Sequence, residues 1–335
     1  MSFGRILYLD LIRIFACALV VLQHTPMPNL GTPGLFLSAL SFLTYPAIGL
    51  FYMVSGALLL PVKSSSEHFY KSRLSKVIYP TFFWSLIYII VFYVSHEIHP
   101  QYLIKSLILL PLAPQGTPVF WFIYVLIGLY LFAPIISPWL DKASRKDLHV
   151  FLTLWGITLL LPIISRYTKI PYGYYSVLCY FGGYLGYFVL GYYVRRYLKT
   201  PLRWYYSCLL ISLPIIAYAI CKTMHMRSDF NTYYYLSIFS ALMTVGWFTL
   251  FQRINWKFSD SRKCHRWLVH VSCCTFGIYL IHILVMKDWL WHCSFIYSQG
   301  YLFQIVVTFV LTLLFSYIVT HSLSKLPFSK YLIGF

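Results

Sequence analysis

Three ionisable side chains, Asp10, Arg13 and His24, interrupt an otherwise apolar run, ILYLDLIRIFACALVVLQHTP. Charge is costly at membrane depth, so ionisable groups there are rare and suggest function by default. At about 100° per residue, the step from Arg13 to His24 completes three turns with roughly 20° to spare. The two side chains therefore share a helix face, about 16 Å apart along the axis, with Asp10 one turn below Arg13. A stripe of this kind has to line a cavity or a packed interior, because lipid cannot solvate it. Histidine is the usual general base near neutral pH, which gives His24 a chemical use. The plainer alternative is a structural histidine near a helix end, hydrogen-bonded to a neighbour.

Three further groups carry candidate chemistry. FYKSRLSKVIYP, residues 69–80, sets Lys71, Arg73 and Lys76 just before an apolar run. Clustered cations cradle phosphates well, although similar clusters also occur merely to orient a membrane protein. GLFYMVSGALL, residues 49–59, contains Ser55 followed by Gly56, a pair that permits close backbone approach and a local break in its span. FGIYLIHILVM, residues 276–286, puts His282 inside another apolar run, either as a second polar group of a cavity or as the partner of a tyrosine.

The elements that must position these residues are membrane helices. The chain has 335 residues, 60% of them hydrophobic and only 10% charged, where soluble domains carry about 25%. Ten apolar runs stand out, at about 6–27, 42–60, 77–95, 118–138, 149–165, 174–194, 202–221, 232–252, 267–286 and 301–322. They are continuous rather than alternating, which argues against an outer-membrane barrel. The expected fold is an all-α polytopic bundle of about ten transmembrane helices, forming one membrane-embedded domain over residues 1–335. No loop is long enough to bury a core of its own. The stretch Tyr102–Leu110 reads as an amphipathic segment on the membrane surface or dipping into the bundle.

The net charge of +18 would suggest nucleic acid in a soluble protein, but here the loops account for it. Nineteen of the 26 Lys and Arg residues fall in connections on one side, while Lys105, Arg166, Lys169, Lys222, Arg227 and Lys287 fall on the other. The positive-inside rule then places both termini in the cytoplasm, Arg13 on the inner side and His24 towards the outer face. The eight cysteines lack metal-type spacing and read as small apolar helix residues, so no metal is expected. The first span has no small-residue cleavage site and reads as retained.

Taken in order, these pieces resemble the integral-membrane acyltransferase-3 family over nearly the whole chain. YLDLIRIFACALVVLQHT presents Arg13 and His24 in the family's arginine-x10-histidine arrangement. LFYMVSGALL is similar to its second span, FYKSRLSKVIYPTFFWS to its basic cytoplasmic motif, FWFIYVLIGLYLFAP to its fourth-span pattern and FGIYLIHILV to a typical late span. One departure stands out: many members have two arginines three apart in the basic motif, and here Arg73 is followed by Lys76. The resemblance implies a stand-alone O-acyltransferase in a bacterial-type cytoplasmic (inner) membrane. It would move an acyl group, usually acetyl from acetyl-CoA, onto a hydroxyl of a cell-surface polysaccharide or lipid-linked sugar. By the same resemblance, Lys71, Arg73 and Lys76 would meet the CoA phosphates. Arg13 would steady the donor, Asp10 would orient Arg13, and His24 would act as base or carry the acetyl transiently. Ser55 and His282 would support the site. Expected partners are the bilayer, acyl-CoA and the glycan acceptor, with no nucleic acid. A transporter or flippase for the same glycans is the alternative, since it too needs intramembrane charge and aromatic walls. A scaffold subunit of a glycan assembly complex is a third reading.

Overall fold

The computed structural model describes residues 5–25, 35–95, 100–115, 118–168, 177–198, 202–223, 234–253 and 262–334. Every regular element among them is helical. In chain order these are α1 (Leu7–His24), α2 (Leu35–Thr44), α3 (Pro46–Leu59), α4 (Ser66–Phe69), α5 (Ser75–Val94), α6 (Pro100–Leu109), α7 (Trp121–Lys142) and α8 (Arg145–Thr158). There follow α9 (Leu161–Thr168), α10 (Leu185–Tyr197), α11 (Trp204–Thr223), α12 (Ile238–Arg253), α13 (Arg262–Leu284), α14 (Ser294–Tyr297), α15 (Tyr301–Ser324) and α16 (Ser329–Leu332).

Among the described residues, eight helical stretches are long and apolar enough to cross a membrane: residues 7–24, 39–59, 66–94, 118–142, 145–165, 204–221, 263–292 and 301–324. The all-α membrane bundle is as expected, and eight of the expected ten runs form such stretches among the described residues. The runs at 174–194 and 232–252 instead form α10 and α12, of 13 and 16 residues. At 1.5 Å per residue α10 reaches only about 20 Å, short of a hydrocarbon layer of about 30 Å. Glycine explains the late start of α10. Gly183 precedes it with a φ of +86°, a conformation that suits a residue without a Cβ.

Local sequence chemistry sets other boundaries. The second span pauses at Tyr45, because Pro46 has no N–H to continue the ladder, and resumes with that proline in the first turn of α3. The break expected at Ser55–Gly56 is absent, and α3 runs through both residues to Leu59. Ser144 and Asp147 close a reciprocal capping box at the start of α8. The expected amphipathic stretch at 102–110 coincides closely with α6, whose Ile104 and Ile108 are exposed.

The chain packs as two compact units. The first comprises residues 1–23, 31–61 and 136–269, and the second 24–30, 62–135 and 270–335. In the first unit α3 and α10 meet backbone to backbone. A Cβ on Gly56 would fall on the Phe188 carbonyl, and one on Gly191 on the Met53 carbonyl. Small residues thus let two helices approach where membrane proteins gain packing energy. The Gly182/Gly186 pair also reads in sequence as a packing motif, but there only Gly186 makes a close approach, against the Trp155 ring. In the same unit, Phe42 of α2 stacks on Tyr218 of α11 with ring centres 4.5 Å apart.

In the second unit Tyr88 of α5 donates to the Leu280 carbonyl of α13 at 3.0 Å, and Trp84 donates to the Leu332 carbonyl at 2.8 Å. The helix α15 buries Gln304, Thr308, Thr312, Ser316 and Thr320, a polar row at every fourth residue. That spacing keeps one face inward with a slow drift around the axis. Near its end, a Cβ on Gly277 of α13 would clash with the Thr320 side chain.

Candidate functional site

The first span is unbroken from Leu7 to His24, so Arg13 and His24 do share one helix at the expected separation. Asp10 is buried, with 3% of its surface exposed. Its main partner, however, is Arg5 rather than Arg13. Arg5 Nε donates to Asp10 Oδ2 at 2.8 Å and its Nη2 to Oδ1 at 3.1 Å, a two-pronged grip. Arg13 Nη1 stands 4.0 Å from Asp10 Oδ1, and a third of its side chain is exposed. Asp10 therefore neutralises Arg5 first and meets Arg13 only at the edge. This leaves the Arg13 guanidinium able to meet another anion. Sequence reasoning counted Arg5 only as a loop charge. Its five-residue offset from Asp10 fits no helical pair, so nothing in the pattern pointed to the grip.

His24 closes α1 and groups with the second unit, where the structure sets it beside His282 of α13. The ring centres are 5.4 Å apart and the planes are nearly perpendicular at 81°. These two histidines are far apart in the sequence, and the fold brings them together, as it does His270 and His321, whose ring nitrogens lie 2.8 Å apart. His282 is fully buried, and its Nδ1 lies 2.5 Å from the Tyr279 carbonyl oxygen. The tyrosine beside it is Tyr279, met through its backbone carbonyl and, with ring centres 5.5 Å apart, its ring, and the neighbouring ionisable group is His24.

The basic segment has a local geometry that sequence did not foresee. Residues Tyr70–Leu74 form a π-helical turn between α4 and α5, a wider coil that often marks functional positions. Tyr70 anchors it by donating to the Leu131 carbonyl at 2.9 Å. Lys71 is paired with Glu67 at 2.6 Å, and both side chains are about three-quarters exposed, at 77% and 76%. Arg73 and Lys76 are exposed as well, without a carboxylate partner among the described residues. The cations available to a phosphate are therefore Arg73 and Lys76, with Lys71 partly neutralised. The chain's end buttresses this turn. Gly334, at a φ of +72°, packs against the Lys76 carbonyl, and Tyr331 meets Tyr79 edge-on at 5.2 Å.

Ser55 lies in the first unit on α3, one residue before the closest approach to α10, and is half-buried. Near it Arg195 of α10 donates to the Ala57 carbonyl. A cation there satisfies the exposed carbonyls at the end of α3 and complements its dipole. Sequence reasoning counted Arg195 only among the loop charges.

Helices of this length and polarity, with charge set along one of them, define a multi-pass membrane protein. The acyltransferase-3 family model, described as an acyltransferase domain, matches residues 6–321, and the chain belongs to that family. The protein is thus a membrane acyltransferase. No curated protein and no solved structure gives a match.

Proposed function

We propose that the chain is an O-acetyltransferase of a bacterial cytoplasmic membrane, moving acetyl from cytoplasmic acetyl-CoA to a hydroxyl of a cell-surface polysaccharide or lipid-linked sugar. The observation that carries this reading is the placement of His24. It ends the same helix that bears Arg13 about 16 Å away, and so joins an anion-binding position to a base along one element.

The acceptor hydroxyl loses its proton to His24 as its oxygen attacks the thioester carbonyl. The C–O bond forms, the C–S bond breaks, and His24 passes the proton to the departing thiolate. Arg73 and Lys76 hold the phosphates of CoA at the basic turn, and Lys71 contributes less because Glu67 already engages it. Arg13 steadies the donor further along. Asp10 contributes indirectly, by holding Arg5 beside the start of the helix. Ser55 supports the packing of α3. The family assignment is to acyltransferases, and it lends the transporter reading no support.

The test uses purified protein with radiolabelled acetyl-CoA and extracted lipid-linked glycans. Transfer places label in the glycan with one free thiol released per acetyl. Unlabelled glycan in the presence of folded protein and donor contradicts the reading. Arg13→Ala and Arg73→Ala each raise the KM for acetyl-CoA about ten- to a hundredfold, the cost of one charge-assisted contact, and leave the acceptor KM within about twofold. The reverse pattern overturns the donor placement.

A further inference from the structure

We propose that His282 is the positioning residue for His24, accepting the N–H of the His24 imidazole and fixing which of its nitrogens is free to take a proton. This rests on His24 acting as the base. The first observation is the tautomer of His282. Its Nδ1 lies 2.5 Å from the Tyr279 carbonyl oxygen, and a carbonyl only accepts, so Nδ1 carries the proton. Nε2 of the neutral ring is then a bare lone pair.

That lone pair is fully buried and has no hydrogen-bond partner among the described residues. A histidine serving only to fill space would have both nitrogens satisfied, because an orphaned acceptor at such depth is costly. The neighbouring ionisable ring is His24, 5.4 Å away centre to centre. Imidazole atoms lie about 1.2 Å from the ring centre, so nitrogens turned towards each other across this gap come within roughly 3 Å, a hydrogen-bond length. The proposal requires the His24 ring to turn an N–H towards His282, and the terminal torsion of histidine is broad.

His282 itself cannot easily follow. The Tyr279 ring flanks it at 5.5 Å, and the Tyr279 hydroxyl is tied to the Val119 carbonyl. His282 is therefore the fixed partner, and His24 is the ring it orients. This is the arrangement in which a base is oriented by a third group, here a neutral imidazole. During transfer the proton goes from the acceptor hydroxyl to His24 and then to the thiolate. His282 keeps its own Nδ1 proton throughout and supplies only a lone pair, which steadies the imidazolium while it exists.

Two substitutions separate the two nitrogens. Asparagine keeps a donor where Nδ1 stands and removes the acceptor at Nε2, whereas glutamine carries an amide oxygen out to the Nε2 position. His282→Asn, with the Tyr279 bond retained, lowers kcat about a hundredfold and leaves both KM values within twofold. His282→Gln recovers at least tenfold over His282→Asn. A wild-type kcat in His282→Asn overturns the proposal. So does equal loss in both variants together with a raised KM, the pattern of a merely structural residue. The same assay includes His24→Ala. If that variant keeps its activity, the base role of His24 falls; if it is inactive while His282→Asn is normal, only the His282 role falls.

Discussion

At the residue scale, the burial of Asp10 decides how its two neighbouring charges, Arg5 and Arg13, divide the work. A carboxylate at 3% exposure needs a partner, and Arg5 supplies two hydrogen bonds where Arg13 supplies a contact at 4.0 Å. Removing Arg5 takes two hydrogen bonds from that buried carboxylate. Arg5→Ala is therefore expected to destabilise the folded protein by about 1–3 kcal/mol, read by thermal unfolding in detergent, and Arg13→Ala by less than about 1 kcal/mol. Equal losses would mean that Arg13 shares the structural role. The basic turn divides in the same way. Lys71 spends its charge on an exposed ion pair, so Lys71→Ala is expected to change the KM for acetyl-CoA by less than about threefold, against the much larger effect of Arg73→Ala. Sequence revealed the types and spacing of these residues, because an ionisable group in an apolar run is visible without any fold. It could not reveal that Arg5 outcompetes Arg13 for Asp10, nor that His282 stands beside His24. Both pairings depend on how separate segments return to each other.

At the element scale, apolar continuity predicts helices well, and their ends follow proline and glycine. The pause at Tyr45 and the late start of α10 come from Pro46 and Gly183, whose backbone chemistry acts within a residue or two. Span length is less legible, because the apolar run at 174–194 yields a helix, α10, of only 13 residues. The contact between α3 and α10 is the element-level feature most sensitive to a single atom. Both glycines face backbone carbonyls, which cannot swing aside as a side chain can. Gly56→Val and Gly191→Val are each expected to cost about 3 kcal/mol, seen as loss of monodisperse protein, while substitution at Gly128, where a Cβ meets nothing within 4 Å, is tolerated. Unchanged stability in Gly56→Val would refute the close approach.

At the scale of the whole molecule, the distribution of Lys and Arg gives the chain a direction in the membrane, and the proposed chemistry depends on it. The basic turn must meet a cytoplasmic donor, and the far end of α1 an acceptor from the other side. The span 263–292 offers a direct check, since Cys264 and the exposed Cys293, neither in a disulfide, lie at its opposite ends. A membrane-impermeant maleimide applied to intact cells is expected to label a variant whose sole cysteine is Cys293, and to spare one whose sole cysteine is Cys264. The opposite labelling would invert the topology and separate the basic turn from its donor. The measurement that bears most directly on the central claim is acetyl transfer by His24→Ala. Folded His24→Ala protein, still binding acetyl-CoA with wild-type affinity, is predicted to place no label in the glycan. Wild-type labelling by that variant would contradict the account.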